Sequence, residues 1–300
     1  MMGVTDWYTI GGLYMIEIGL TGWGDHPDVY APSSTAKEKL MDYSAHFPVV
    51  ELDATFYAIQ PERNIRKWIR ETPDHFGFIV KAYQGMTGHL RGELPYESKE
   101  EMFELFRLSM EPLQEADKLS LILVQFPPWF DCVKENVDEI RYISKQLEGF
   151  DIGIEFRHQS WYEEEFREKT LHFLRENNLI HVIADEPQAG TGSVPFIPSV
   201  TRSDKVVIRL HGRNVAGWQN PGGSREHWRK VRYLYDYTDR ELQGIQTAVE
   251  ELAQQAEYVA VIFNNNSGGH AAENAKRFQK MLHLSFDDLA PKQLDIFEGE

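Results

Sequence analysis

Carboxylates, cations and a histidine stand at alternate positions in otherwise apolar runs. Glu51, Asp53 and Thr55 alternate with Val50, Leu52 and Ala54. Glu155 and Arg157 alternate with Ile154 and Phe156, and Arg209, His211 and Arg213 with Ile208 and Leu210. Glu17, Lys81, Gln125 and Asn264 each interrupt an apolar run. Side chains along a strand point to opposite sides in turn, so residues of one parity share a face. Two chemistries fit the polar face. Asp53, Glu155 and Asp185, helped by His211, could hold a divalent metal through oxygen and imidazole ligands. Alternatively, Lys81, Arg157 and Arg213 could bind an anionic substrate, the arginines through forked contacts. Glu155, His211 or Asp53 would then move a proton. His158 and Asn265 belong to the same polar knots. Gly268-Gly269, ahead of a helix start, offers backbone N–H groups to an anion, although a glycine pair also serves a plain turn. The sequence contains no His-Glu-x-x-His motif, nucleophile elbow, Walker loop or Rossmann fingerprint.

The elements that must position these groups repeat. Strands are predicted over Met15–Leu20, Val49–Thr55, Phe76–Tyr83, Leu119–Phe126, Ile152–Phe156, Ile180–Ala184, Lys205–Leu210 and Tyr258–Phe263. Each ends in polar residues, and helical periodicity follows most of them. Ser33 or Ser34 can cap the first helix, and Thr238 ahead of Glu241 can cap a late one. Residues 187–203 hold three prolines and two glycines; an irregular segment without a full helix is expected there. The strands are rich in Val, Ile and Phe and lack a polar solvent face, as in a parallel sheet covered by helices. Eight such units predict a (β/α)₈ TIM barrel, whose working residues sit at the C-terminal ends of its strands. The apolar parity then faces the helices. Glu17, Glu51, Asp53, Lys81, Glu155, Arg157, Arg209 and His211 would converge on the axis and upper rim. For Glu17 and Arg209, which sit deeper, an ion-pair lattice filling the core is an equal alternative. Trp23, Tyr57, Trp129, Trp161 and Trp218 follow strand ends, where they either stack on a ring-bearing ligand or pack the rim.

A chain of 300 residues, 42% hydrophobic and 12% aromatic, accommodates one barrel of ~250 residues. The expected organisation is an extension over 1–14, the barrel over 15–285 and a tail over 286–300. The single cysteine, Cys132, rules out an internal disulfide and suits a reducing cytoplasm. No apolar run reaches the ~20 residues of a membrane span, and the first residues lack the pattern of a signal peptide. A net charge of −16 argues against a general nucleic-acid coating protein.

Seven segments resemble one known family. They are Ile18-Gly-Leu-Thr-Gly-Trp23, Val50-Glu-Leu-Asp-Ala-Thr-Phe-Tyr57, Phe78-Ile-Val-Lys-Ala82, Gln125-Phe-Pro-Pro128, Glu155-Phe-Arg-His-Gln-Ser-Trp161, His211-Gly-Arg213 and Asn264-Asn-Asn-Ser-Gly-Gly269. In order, from about Met15 to Leu284, they are similar to the YecE-like family of TIM barrels. That family is of unknown function, so the resemblance implies a fold and a rim and no substrate. The combined expectation is an enzyme, a hydrolase or lyase, acting on a phosphate-bearing or nucleotide-like substrate. A second expectation comes from the tail. Gln293-Leu-Asp-Ile-Phe297 resembles the peptide with which bacterial replication and repair proteins dock on the DNA sliding clamp. Leu294, Ile296 and Phe297 would fill an apolar groove while Gln293 fixes register.

Overall fold

A computed structural model describes residues 14–218, 224, 228, 231–286 and 289–291. Eight parallel strands close into a barrel in chain order. They are β1 (Met15–Thr21), β2 (Val49–Leu52), β3 (Gly77–Lys81), β4 (Leu119–Gln125), β5 (Ile152–Glu155), β6 (Ile180–Asp185), β7 (Lys205–Leu210) and β8 (Tyr258–Phe263). Closure runs through β1 and β8, with Met15 opposite Tyr258 and Leu20 opposite Phe263. Helices cover the outside, including α1 (Lys39–Ser44), α2 (Ala54–Tyr57), α3 (Glu62–Arg70), α4 (Lys99–Glu115), α5 (Lys134–Gln146) and α6 (Arg167–Glu176). After β7 come α7 (Val215–Trp218), α8 (Asp239–Ala253) and α9 (His270–Met281). Thr238 and Glu241 form a reciprocal capping box at the start of α8, satisfying two orphan N–H groups. Between β6 and β7, residues 186–204 form neither helix nor strand.

Alternation sorts the side chains as elementary strand geometry requires. Ile16, Ile18, Val50, Leu52, Ile154, Ile183, Ile208 and Val261 face outward and join the main core beneath the helices. The inward face departs from expectation. Val49, Ile79, Leu121, Leu123, Val182, Val207, Ala260 and Ile262 form a second apolar cluster on the axis. The interior is therefore ionic only above and below this layer. Gly153 holds an inward position within it, where a Cβ would approach Val182 at 2.9 Å and Leu121 at 3.0 Å. Its missing side chain makes room for the neighbours' bulk.

Glu17 is thereby separated from the other charges. Thr21 pairs with Glu51 across β1 and β2, so Glu17 lies four residues, ~13 Å, further down the strand. Its carboxyl accepts a 2.7 Å hydrogen bond from Tyr258 Oη at the barrel floor. Burial lifts Glu17 to about 7, against the opposing pull of Tyr258 and Lys205. A carboxyl whose folded-state value exceeds its unfolded one keeps its proton better when folded. It therefore costs stability progressively as pH rises from about 4.5 to about 7, and the cost is complete above that. Glu17→Gln should raise stability at pH 8 by up to roughly 3 kcal/mol relative to its effect at pH 5. Denaturant titrations of both proteins at the two pH values read this directly; parallel pH dependences would refute it.

Other boundaries shift for local reasons. Val49–Thr55 does not run on as a strand. The chain turns at Asp53, the N-cap position of α2, and Thr55 Oγ1 donates back to Leu52 O and Lys81 O at 2.9 and 2.6 Å. Thr55 is thus a bracket between β2 and β3. Lys118, also buried, terminates α3 by donating to Ile69 O and Thr72 O at 2.9 Å each. No helix among the described residues is long and apolar enough to cross a membrane.

Candidate functional site

Above the apolar layer, strands β2, β5 and β7 deliver a buried lattice of charge. Arg209 grips Glu51 with a fork, Nε to Oε2 at 2.7 Å and Nη2 to Oε1 at 2.5 Å. Its Nη1 donates to Glu155 Oε2 at 2.5 Å and to Gln125 Oε1 at 3.1 Å. The other Glu155 oxygen accepts from Arg157 Nη1 at 2.7 Å. Glu51, Glu155 and Arg209 are each 0% exposed and Arg157 is 2% exposed, so these are desolvated ions held by one another. Burial alone would raise Glu155, yet Arg209, His211 and Arg157 outweigh it and hold the carboxyl well below its ordinary value. At Glu51 burial pushes upward and the Arg209 fork opposes it.

His211 completes this layer. Its Nε2 lies 2.8 Å from Arg157 Nη1 and its Nδ1 2.7 Å from the Asn264 amide. Burial and the nearby Arg157 hold it well below its ordinary value, so it is neutral. Nε2 also lies 3.2 Å from Glu155 Oε1, and the Asn264 atom that meets Nδ1 is the amide nitrogen.

An open cavity of about 760 Å³ sits on this floor. Lys81, Arg91, Arg157 and Arg232 line it, against Asp25 and Asp53. Lys81 Nζ lies 3.5 Å from Asp53 Oδ1 and 4.8 Å from the centre of the Phe56 ring. Arg232 packs its guanidinium on Trp218 at 4.0 Å and Trp228 at 4.9 Å, and no described residue accepts a hydrogen bond from its Nε. Tyr233 adds a phenol to the wall. Burial would raise it, but Arg232, Arg157 and Lys81 lower it below its ordinary value. His89 is pushed down to about 4 by burial and by Lys81 and Arg157, so it presents a neutral ring. Phe56, Tyr57, Trp129 and Trp228 supply the apolar faces. Tyr57 and Trp129 remain 57% and 56% exposed, unusual for residues that merely pack a rim.

The predicted site residues divide sharply. Asp53, Lys81 and Arg157 line the cavity. Glu155 and His211, expected to move protons on a substrate, lie beneath its floor and touch it through the lining residues Arg157 and Asn264. Asp185 and Arg213 are elsewhere. Asp185 shares outward parity with Ile183, where it accepts from Tyr237 Oη at 2.6 Å and from Arg213 at 2.7 to 3.1 Å. Gly212 explains Arg213: with φ of +83° it turns the chain out of strand geometry directly after His211. Asp53, Glu155 and Asp185 thus do not converge, and no group of three potential metal-binding side chains occurs among the described residues. His158 serves the turn after β5, its Nδ1 bonding Ser160 Oγ at 2.7 Å. The Asn265 amide nitrogen donates to Tyr235 O and Asn274 Oδ1 at 2.8 and 2.9 Å. Its neighbours Asn264, Asn266 and Ser267 line the cavity, while Gly268 and Gly269 form the following turn. Gln293, Leu294, Ile296 and Phe297 lie outside the described residues.

Several groups escaped sequence reasoning, Arg91 among them. Arg232, Tyr233 and Trp228 come from the stretch between α7 and α8, where no periodicity marks a direction. Glu186 had a signal: it continues the inward parity of Ile180, Val182 and Ala184 one step past β6. It lies 3.2 Å from Arg157 Nε.

Eight parallel strands, an apolar axis and a charged, open C-terminal mouth define a TIM-barrel protein with a small-molecule-sized site. This chain belongs to the family described as "Protein of unknown function DUF72", whose model matches residues 17–295. It is 52% identical over 283 residues to the UPF0759 protein YunF of Bacillus subtilis, covering 94% of this chain and 100% of that protein. The UPF0759 protein YecE of Escherichia coli K12 is 27% identical over 173 residues, 57% of this chain and 59% of that one. A crystal structure of a DUF72-family protein from Enterococcus faecalis V583 superposes with a TM-score of 0.87 at 43% identity, covering 94% of this chain and 100% of that chain. Another, from Thermotoga maritima, gives 0.76 at 32% identity, covering 90% of this chain and 100% of that chain.

Proposed function

We propose that this barrel is an enzyme acting on a small, phosphate-bearing, nucleotide-like substrate held at the C-terminal mouth. The observation that carries the reading is the cavity of about 760 Å³ in which Lys81, Arg157 and Arg232 meet between aromatic faces. Its size suits a small ligand. The chain as a whole has a net charge of −16 and repels anions, so a local surplus of cations in a concave site marks a place that attracts them. Arg157 and Arg232 offer planar forks to phosphate oxygens and Lys81 a point charge. Trp129 and Tyr57, exposed at the rim, offer ring faces to a base or sugar. Asp53, which shares the wall with Asp25, has an Oδ1 that accepts no hydrogen bond from a described residue and takes the role of general base. Tyr233, lowered by its cationic neighbours, is placed to return a proton. Glu155 and His211 orient Arg157.

Calorimetric titration with nucleoside monophosphates, sugar phosphates and the matching unphosphorylated compounds tests this. At least one phosphate ester should bind saturably, tenfold or more tighter than its unphosphorylated counterpart, and Lys81→Ala should weaken it. Equal binding with and without the phosphate, or no saturable binding of any phosphate ester, ends the proposal.

A further inference from the structure

We infer that Glu186 is a positioning residue for this anion site: it competes with the ligand for the Arg157 guanidinium, so anion capture is coupled to protonation of its carboxyl. The inference rests on the anion-binding reading above and adds a control to it. Arg157 is oversubscribed. Its Nη1 is committed to Glu155 at 2.7 Å and to His211 at 2.8 Å, and its ring-like plane packs against Trp218 at 5.0 Å. Its Nε faces Glu186 Oε2 at 3.2 Å. Glu186 is 4% exposed. Oε1 accepts from Val194 N at 2.6 Å, tying the irregular segment after β6 to the site. Oε2 has no hydrogen-bond partner among the described residues. A buried carboxylate oxygen left in that state is costly unless its carboxyl is neutral.

The charge count says which carboxyl gives way. Glu51, Glu155 and Glu186 share two guanidiniums, Arg157 and Arg209. Glu51 holds the fork of Arg209 and Glu155 is bridged by both cations, which leaves Glu186 with the weakest hold. Burial raises Glu186 to about 7; Arg157 and Arg232 oppose the rise and Glu155 adds to it. The other titratable group close to it is Tyr162, which burial keeps protonated and whose Oη is engaged with His181 Nε2 at 2.7 Å. Below neutrality Glu186 is uncharged, and Arg157 has charge to spare for a ligand. Above it Glu186 ionises and takes that charge. Anion affinity must then fall as pH rises, and a ligand arriving near pH 7 must bring a proton onto Glu186.

Sulfate is the probe, because its own charge is constant across the range. Wild-type protein is titrated calorimetrically at pH 6, 7 and 8, and at pH 7.5 in two buffers of different ionisation enthalpy. Affinity should drop about tenfold from pH 6 to pH 8, with net proton uptake at pH 7.5. Glu186→Gln should bind with nearly constant affinity and no uptake, its fold being checked by circular dichroism. Glu17, the other carboxyl lifted to about 7, lies beneath the apolar layer and cannot produce a difference between these two proteins. If sulfate binds wild type without pH dependence or uptake, or the variant keeps both, the inference fails and the anion site stands. A wild-type protein that binds no sulfate at pH 6 would overturn the anion site and the inference together.

Discussion

Arg209→Met should cost about 3–5 kcal/mol of unfolding free energy at pH 7, the penalty typical of breaking a buried ion pair from one side. Arg209 is the shared counter-ion of Glu51 and Glu155, all three fully buried. Methionine fills similar space but leaves Glu51 uncompensated and Glu155 with Arg157 alone. The pH dependence should invert with it. In wild type Glu155 is held well below its ordinary value, so its contribution is present above the unfolded value of about 4.5 and is lost as pH falls through the depressed one. In the variant, buried carboxyls without their cation take protons more readily when folded, so the defect should shrink toward pH 5. Adding Glu51→Gln and Glu155→Gln to Arg209→Met should recover most of the loss, because neither glutamine carries a charge to strand and Arg157 keeps Glu186 as its counter-ion. Denaturant unfolding at pH 5 and 7 measures all of this. A single variant as stable as wild type at pH 7 would show that the lattice contributes nothing.

Arg157→Lys should weaken phosphate-ester binding about a hundredfold, roughly 2.7 kcal/mol, while costing the fold less than about 2 kcal/mol. The ammonium preserves the charge that Glu155 and Glu186 require. It cannot reproduce the fork, and its shorter reach forces a choice between the buried carboxylates and the ligand. The split between binding and stability is the informative quantity. Equal losses in both would assign Arg157 to the lattice alone, and unchanged binding would remove it from the site.

Much of this molecule was written locally. Alternation within each strand, with helical spacing between strands, determined an eight-unit parallel barrel and named nearly every inward charge, because side-chain direction in a strand depends only on position parity. The chain's own sequence also set where the barrel breaks its repeat, at the proline-rich stretch after β6. What the tertiary structure decided was who meets whom. Arg209 and Glu51 are 158 positions apart, and no local rule says that they pair or that an apolar layer cuts Glu17 off from them. Asp185 and Arg213 look like rim residues until the outward parity of β6 and the turn at Gly212 carry them away from the mouth. Arg232 and Tyr233 arrive on an aperiodic segment whose direction is set by packing on Trp218 rather than by spacing. The sequence thus determined which charges enter the barrel. Closure of the barrel decided which of them neutralise one another and which are left facing the cavity, because that depends on distances across the axis that no stretch of neighbouring residues encodes.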